Sequence, residues 1–136
     1  MTDSHIGKVL LVDDDERLLR ALQRQLSGEE ITIQTATSAS SARELCDRHD
    51  FDVIVTDHQM PEVSGIEFLE GVRELDEDVV LMILSGKINA SDALRAINRL
   101  GVFRVFSKPC NATELAKSIC EAVELKRLAT LCDSLS

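Results

Sequence analysis

A chain of 136 residues that is 44% hydrophobic and 29% charged is long enough for one domain with a substantial core. Its net charge of -9 argues against a nucleic-acid surface, and no apolar run is long enough to span a membrane. Residues 1–8 show no basic-then-apolar signal pattern, and the four cysteines are widely spaced, as expected of reduced thiols. We therefore expect a cytoplasmic protein.

Five short runs rich in Val, Ile and Leu alternate with five amphipathic stretches. The runs cover residues 8–13, 31–35, 51–57, 79–85 and 102–107. At least three of them are almost continuously apolar, which is typical of strands buried on both faces of a parallel sheet. The alternation predicts a doubly wound α/β sandwich with right-handed crossovers.

The amphipathic stretches have the spacing and the end signals of helices. They cover residues 17–27, 38–48, 64–75, 89–100 and 111–128. Gly28 is expected to end the first helix, and Gly101 the fourth, because glycine suits the position just after a helix. Ser64 with Glu67 has the spacing of a capping box, and Asn89 is a favourable N-cap.

Polar side chains follow four of the predicted strands. Asp13 and Asp14 follow the first strand, Asp57 the third, Ser85 the fourth and Lys108 the fifth. Ligands of such sheets bind beyond the carboxyl ends of the strands, so these five side chains are expected to converge. Three carboxylates together require a cation, and oxygen ligands with room for water suit Mg²⁺. A lysine beside them can bind phosphate, which makes an aspartate here a candidate phosphoryl acceptor.

Four segments of the chain carry a family resemblance: LLVDDDE, DVIVTDHQMPEVSGIEFL, MILSG and FSKP. In this order they resemble the receiver domain of two-component response regulators, over residues 8–124. The resemblance implies a flavodoxin-like (βα)5 sandwich with the parallel strand order 2-1-3-4-5. We expect a receiver domain over residues 1–124, and residues 125–136 as a C-terminal extension of the last helix.

The resemblance also implies a metal site. Matched by motif, Asp14, Asp57 and the main-chain carbonyl of Gln59 would bind Mg²⁺ or Mn²⁺ directly, and Asp13 would bind it through a water molecule. No other cofactor is implied.

The same resemblance assigns a signalling reaction. Asp57 would accept a phosphoryl group from a phosphohistidine of a histidine kinase or a histidine phosphotransfer protein. Ser85 would be the switch hydroxyl and Lys108 the phosphate-binding lysine, followed by a cis bond to Pro109. Such a protein is a phosphoacceptor that catalyses only its own phosphorylation and dephosphorylation. Many receivers have Phe or Tyr three residues before the lysine, where this chain has Val105, so its output switch is expected to differ.

Phosphorylation is expected to alter the face made by residues 89–100, residues 102–106 and the last helix. Beyond that face, Leu125, Leu128, Cys132 and Leu135 form an apolar stripe with heptad-like spacing. The stripe suits a homodimer seam or a linker into an output domain outside this chain, and a frayed tail is the alternative. A homodimer through the last two helices is a further expectation.

Three other functions are alternatives to the receiver. A degenerate receiver would serve only protein contacts, which the complete set of five polar residues argues against. A phosphatase with an Asp57 nucleophile would need a second acid two residues later, where this chain has Gln59. A flavin-binding module would need a phosphate loop after the first strand, where Asp13 and Asp14 would repel a phosphate unless a metal intervened.

Overall fold

The protein is described by a computed structural model, which covers residues 7–28 and 30–135, with side chains up to Cys132. Five strands form one parallel sheet in the order β2-β1-β3-β4-β5. They are β1 (Gly7–Val12), β2 (Ile31–Ala36), β3 (Val53–Asp57), β4 (Val80–Ser85) and β5 (Arg104–Ser107). The predicted flavodoxin-like order is confirmed.

Each strand is followed by one helix, as predicted. The helices are α1 (Glu16–Leu26), α2 (Ala39–Arg48), α3 (Gly65–Leu75), α4 (Ala90–Leu100) and α5 (Ala112–Leu135). Apolar side chains of α1 and α5 pack on one face of the sheet, and those of α2, α3 and α4 pack on the other. The result is a three-layer sandwich.

The inner strand β1 shows why the strands are almost continuously apolar. Val9 and Leu11 belong to the core under α1 and α5, whereas Leu10 and Val12 belong to the core under α2, α3 and α4. All four are at most 1% exposed. Successive side chains of a strand point to opposite faces, so a strand covered on both faces has no position left for a polar residue.

The start of α1 explains part of the run of four acids at residues 13–16. Asp15 is the N-cap, and its side chain accepts hydrogen bonds from the backbone N–H groups of Arg17 at 3.1 Å and Leu18 at 3.3 Å. Glu16 lies in the first turn, where a negative charge interacts favourably with the helix dipole. These two acids therefore stabilise the helix and are separate from the two acids before them.

Two glycines were predicted to end helices, and only one does so in the expected conformation. Gly101 caps α4 with a φ of 64° and is the one positive-φ residue among those the structure describes. The helix α1 ends at Leu26, one residue before the predicted end, and Gly28 follows the cap without a positive φ. The cap of α1 is Ser27, which keeps right-handed helical dihedrals and whose hydroxyl donates to the Arg24 carbonyl at 2.9 Å. The serine hydroxyl satisfies a terminal carbonyl, so no left-handed residue is needed.

Arg73 joins α3, α4 and the start of β4 at the end of the sheet opposite to the predicted site. Its guanidinium donates to the carbonyl of Leu100 from Nε at 3.0 Å and from Nη2 at 2.7 Å. Nη1 donates to the carbonyls of Glu77 and Val79, both at 2.8 Å. One planar group with several donors thus fixes the amino-terminal end of the β4 region.

The last helix has two parts with different surroundings. Leu115 and Ile119 are fully buried against the sheet, and Val123 is 4% exposed. Beyond Val123 the helix continues, but Leu125 and Leu128 are 45% and 49% exposed. Leu131, absent from the predicted stripe, is 47% exposed. Cys132 is exposed as well, and the side chain of the predicted stripe residue Leu135 lies outside the described part of the structure. Within the described residues, no helix combines the length and the apolar character that a membrane span requires.

Candidate functional site

Asp57 is the last residue of β3, one of the central strands of the sheet. It is 4% exposed. Its Oδ2 lies 3.3 Å from Lys108 Nζ, and its Oδ1 accepts a hydrogen bond from the backbone N–H of Gln59 at 3.2 Å. The side chain of Gln59 itself is exposed. The two carboxylate oxygens are therefore held by different groups, a lysine and a main-chain donor.

Two more carboxylates come from the turn after β1. Asp13 is 1% exposed, and its Oδ1 accepts from the backbone N–H of Asp15 at 2.9 Å. Its Oδ2 lies 2.7 Å from Lys108 Nζ. Asp14 is exposed, yet one oxygen from each of Asp13, Asp14 and Asp57 fits within 4.8 Å of the others. The predicted convergence of the three acids is confirmed.

Burial and ion pairing act in opposite directions at this cluster. Burial raises the pKa of Asp13, with the neighbouring Asp57 charge adding to the effect, and the Lys108 ion pair reverses only part of it. For Lys108, burial lowers the pKa, but the two carboxylates outweigh burial and raise it overall. One lysine charge is therefore firmly held, and it does not fully compensate the acids around it.

The donor set suits a divalent cation. Asp13 Oδ2 is buried and, among the described residues, lacks a hydrogen bond of ordinary geometry despite its closeness to Lys108. Carboxylate oxygens this close together repel one another, and a hard cation with oxygen ligands relieves that repulsion. Asp13, Asp14 and Asp57 are the side chains that could hold it.

The hydroxyl and the lysine come from the ends of β4 and β5. Ser85 is 2% exposed, and its Oγ accepts a hydrogen bond from the backbone N–H of Lys87 at 3.0 Å. The backbone N–H of Lys108 donates to the Ser85 carbonyl at 2.8 Å, so the pairing of β4 with β5 brings these residues together. The bond between Lys108 and Pro109 is cis.

Comparison with known proteins identifies the family that has this fold and this cluster of acids. A profile described as "Response regulator receiver domain" matches residues 9–120. The chain belongs to the response regulator receiver family. Receiver domains are phosphoacceptors of two-component signalling. The solved structures that are similar to this chain share the fold described above.

Individual relatives of this receiver differ in their wider architecture. The hydrogenase transcriptional regulatory protein HoxA of Bradyrhizobium diazoefficiens is 36% identical over 122 residues, which is 90% of this chain and 25% of that protein. A structure described as adenylate cyclase from Rhodopirellula baltica is 32% identical, with a TM-score of 0.85, over 95% of this chain and 96% of that one. The receiver domain of an HD domain-containing protein from Pseudomonas fluorescens is 25% identical, with a TM-score of 0.83 and 96% of both chains covered. This receiver spans about a quarter of the length of the HoxA relatives that it matches.

Gly65, the first residue of α3, lies directly beneath the Asp57 strand end. Its backbone N–H donates to the carbonyl of His58 at 2.7 Å. A Cβ at this position would lie 2.8 Å from His58 Cα and closer still to the Asp57 carbonyl oxygen. The sequence motif contains this glycine, but motif spacing alone does not show that it permits close approach of two backbones.

Other neighbours of the site were missed by the sequence analysis. Thr56 is fully buried, and its hydroxyl donates to the carbonyl of Asp57 at 3.0 Å. His58 Nε2 lies 3.6 Å from Asp92 Oδ2 in the first turn of α4. The position next to Asp57 was the only signal for His58, and no signal pointed to Asp92. Val105, the predicted departure from the family, is half-buried against the core under α2, α3 and α4.

Replacing Gly65 by alanine tests the close approach. The new methyl group has to displace backbone atoms of Asp57 and His58, so we expect Gly65→Ala to lower the free energy of unfolding by about 1–3 kcal/mol. Gly71→Ala, in the same helix, is the matched control because a Cβ there meets nothing within 4 Å. It should raise the free energy of unfolding by about 0.5–1 kcal/mol. Urea denaturation of both variants measures the difference, and equal effects would contradict the contact.

The raised pKa of Asp13 predicts a pH-dependent stability. Because the folded pKa lies above the unfolded one, ionised Asp13 lowers stability at neutral pH. Without divalent cations, Asp13→Asn should therefore be more stable than wild type near neutral pH. The gain should fade as the pH drops through the raised pKa, where wild-type Asp13 becomes protonated. Urea midpoints across this range measure it. The exposed Asp50→Asn is the control, and a gain that persists in acid would refute the assignment.

Proposed function

We propose that this receiver accepts a phosphoryl group on Asp57 from a phosphohistidine of a histidine kinase or a histidine phosphotransfer protein. The observation that carries the proposal is the placement of buried Asp57 3.3 Å from Lys108 and inside a cluster of three carboxylates. A carboxylate is a weak nucleophile towards a charged phosphoryl group, so neutralising groups have to surround it. Here they come from a lysine and from a site whose ligands suit Mg²⁺ or Mn²⁺.

The reaction forms a bond between an Asp57 carboxylate oxygen and phosphorus while the bond from phosphorus to the donor histidine breaks. A bound Mg²⁺ supplies positive charge for the phosphoryl oxygens. Asp13 and Asp14 would hold that ion together with Asp57 and the Gln59 main-chain carbonyl, with Asp13 acting through water. Lys108 would pair with a phosphoryl oxygen, as a point charge that already faces Asp57. The protein mainly positions groups and balances charge.

Ser85 would carry the signal away from Asp57. Its hydroxyl now accepts from the Lys87 backbone, and a phosphoryl group on Asp57 offers it a charged acceptor. If the Ser85 hydroxyl turned towards that acceptor, its hydrogen bond to the Lys87 backbone would break. The loop that leads from β4 to α4 would then shift. The proposed output face consists of α4, β5 and α5, where Leu94 and Ile97 are already 57% and 49% exposed. With Val105 at the usual aromatic position, this face would respond without an aromatic switch.

Protein contacts alone are a weaker account of the same site. A degenerate receiver has no need for two carboxylates that are at most 4% exposed beside a buried hydroxyl. The phosphatase alternative still lacks an acid at Gln59, whose side chain is exposed. The phosphoacceptor is the function that uses the buried side chains of Asp13, Asp57 and Ser85 together. The chain would act in the cytoplasm, where such kinases present their phosphohistidines.

We propose that the α5 extension, residues 125–135, connects the receiver to a second copy of the chain or to an output domain. Val123 and the residues before it anchor the helix to the receiver, while Leu125, Leu128 and Leu131 are exposed on the part that continues. Counting 100° per residue, these leucines are turned roughly half a turn away from the buried face of α5. Two copies of the extension could pack their leucines together, and a longer regulator would continue from there into its output domain.

Substitution of Asp57 tests the acceptor. Asp57→Asn keeps the shape of the side chain but removes the nucleophilic carboxylate, so uptake of labelled phosphate from acetyl phosphate with Mg²⁺ should be abolished. Removing Mg²⁺ with a chelator should abolish uptake by wild type as well. Asp50→Asn, at an exposed acid, should retain full uptake. Full labelling of Asp57→Asn would contradict the proposal.

Substitution of the exposed leucines tests the extension. Leu128→Glu with Leu131→Glu places charges in the proposed seam, so a dimer should become a monomer in sedimentation velocity over a concentration series. Thr130→Glu adds one charge to the same extension on the side turned away from the leucines, at an exposed position, and should leave the dimer intact. A wild type that stays monomeric at every concentration would contradict the seam.

A further inference from the structure

His58 links the site to both neighbouring elements through its backbone. Its N–H donates to the carbonyl of Leu84 in β4 at 2.8 Å, and its carbonyl accepts from Gly65 in α3 at 2.7 Å. The residue after Asp57 is therefore fixed in position. Its side chain is 12% exposed and is directed towards the first turn of α4.

The imidazole of His58 is incompletely hydrogen-bonded in this state. Nδ1 is buried and has no hydrogen-bond partner among the described residues. Nε2 lies 3.6 Å from Asp92 Oδ2, just outside hydrogen-bond distance. A buried polar ring in this condition gains free energy from a small movement that brings a carboxylate into range.

Asp92 belongs to the segment that the switch hydroxyl controls. It lies in the first turn of α4, and its backbone N–H donates to the N-cap side chain of Asn89 at 2.7 Å. The loop from Ser85 to Asn89 is only a few residues long, and the Ser85 hydroxyl binds it at Lys87. Loss of that bond would free the loop and, with it, the N-terminus of α4. Asp92 would then move with the loop, whereas two backbone hydrogen bonds would hold His58 in place.

We propose that His58 is a positioning residue that holds α4 in the phosphorylated state through a hydrogen bond from Nε2–H to Asp92. The inference rests on the proposed phosphorylation of Asp57 and adds a contact that involves no phosphoryl oxygen. As Ser85 turns to the phosphoryl group, the N-terminus of α4 moves towards β3 and closes the 3.6 Å gap. The bond is then made in one state and absent from the other, so it shifts the balance between them.

Linkage fixes the size of the expected effect. A contact made only in the active state strengthens the binding of a phosphoryl analogue by the same factor by which it favours that state. One buried hydrogen bond corresponds to about a three- to tenfold change in affinity. Affinity for Mg²⁺ alone should stay unchanged, because neither His58 nor Asp92 belongs to the carboxylate cluster.

Beryllofluoride with Mg²⁺ is the probe, titrated at one fixed pH and followed by NMR of backbone amides. Asp92→Ala and His58→Phe should each weaken its apparent affinity about three- to tenfold, and the double variant should be no weaker than either single one. Asp92→Asn keeps an acceptor oxygen and should restore most of the affinity. In wild type, the ¹⁵N resonance of His58 Nε2 should move on saturation, as expected for a new hydrogen bond.

The matched control is another side-chain tie between α3 and α4. Arg95 Nη2 lies 2.6 Å from Glu70 Oε2 on the surface, so Glu70→Gln weakens a link to α4 that is remote from Asp57. Its beryllofluoride affinity should equal that of wild type.

Three results would overturn the inference. They are additive losses of beryllofluoride affinity in the double variant, an unchanged affinity of Asp92→Ala, and a ¹⁵N chemical shift of His58 Nε2 that stays the same on saturation. If His58→Phe does not fold, the hydrogen bond is still tested by the two Asp92 variants and by the ¹⁵N resonance of His58 Nε2 in wild type. If wild type does not bind beryllofluoride at all, the proposed phosphorylation of Asp57 is refuted. If it binds without a contribution from Asp92, only the proposed hydrogen bond between His58 and α4 is refuted.

Discussion

The pairing of Lys108 with both Asp13 and Asp57 is the interaction on which the site depends. The two acids come from neighbouring strands, β1 and β3, and β4 separates β3 from the lysine strand β5. Lys108 therefore reaches past the end of β4, where Ser85 is buried. A phosphoryl group accepted by Asp57, as proposed, would lie beside the ammonium group that already faces both acids. The same crowding of charge leaves the folded protein under electrostatic strain, which a cation would relieve.

The surroundings of Asp57 divide into a fixed part and a movable part. Hydrogen bonds from His58 and to its carbonyl hold the strand end between β4 and α3, and the missing side chain of Gly65 lets those backbones touch. On the other side, the loop before α4 is held at Ser85 by one side-chain hydrogen bond to the Lys87 backbone. If Asp57 is the acceptor, as proposed, it would stay in place beside a loop held by a bond that phosphorylation can break, which suits the conversion of chemistry into movement.

The family resemblance predicted the order of the strands. The strand assignment alone predicted that the three acids converge, because parallel strands all end at one edge of the sheet and a polar residue after an apolar run therefore has a defined location. It did not predict that Asp13 would be buried and Asp14 exposed, because the chain turns out of the strand between them. The pairing of His58 with Asp92 joins residues far apart in the chain, and no periodicity encodes it. The end of α1 was predicted to within one residue, but its cap is Ser27, whose hydroxyl satisfies a terminal carbonyl.

The length of α5 has a geometric consequence. Its 24 residues form one uninterrupted helix, about 36 Å long at 1.5 Å per residue, with one face fixed on the sheet and another exposed further along. A helix of this kind resists twisting, so a rotation or tilt of its anchored half appears at its free end with the same sense. The number of residues between Val123 and Leu125 therefore sets the direction in which the leucines face, and a partner bound there, as proposed, would take its orientation from the receiver.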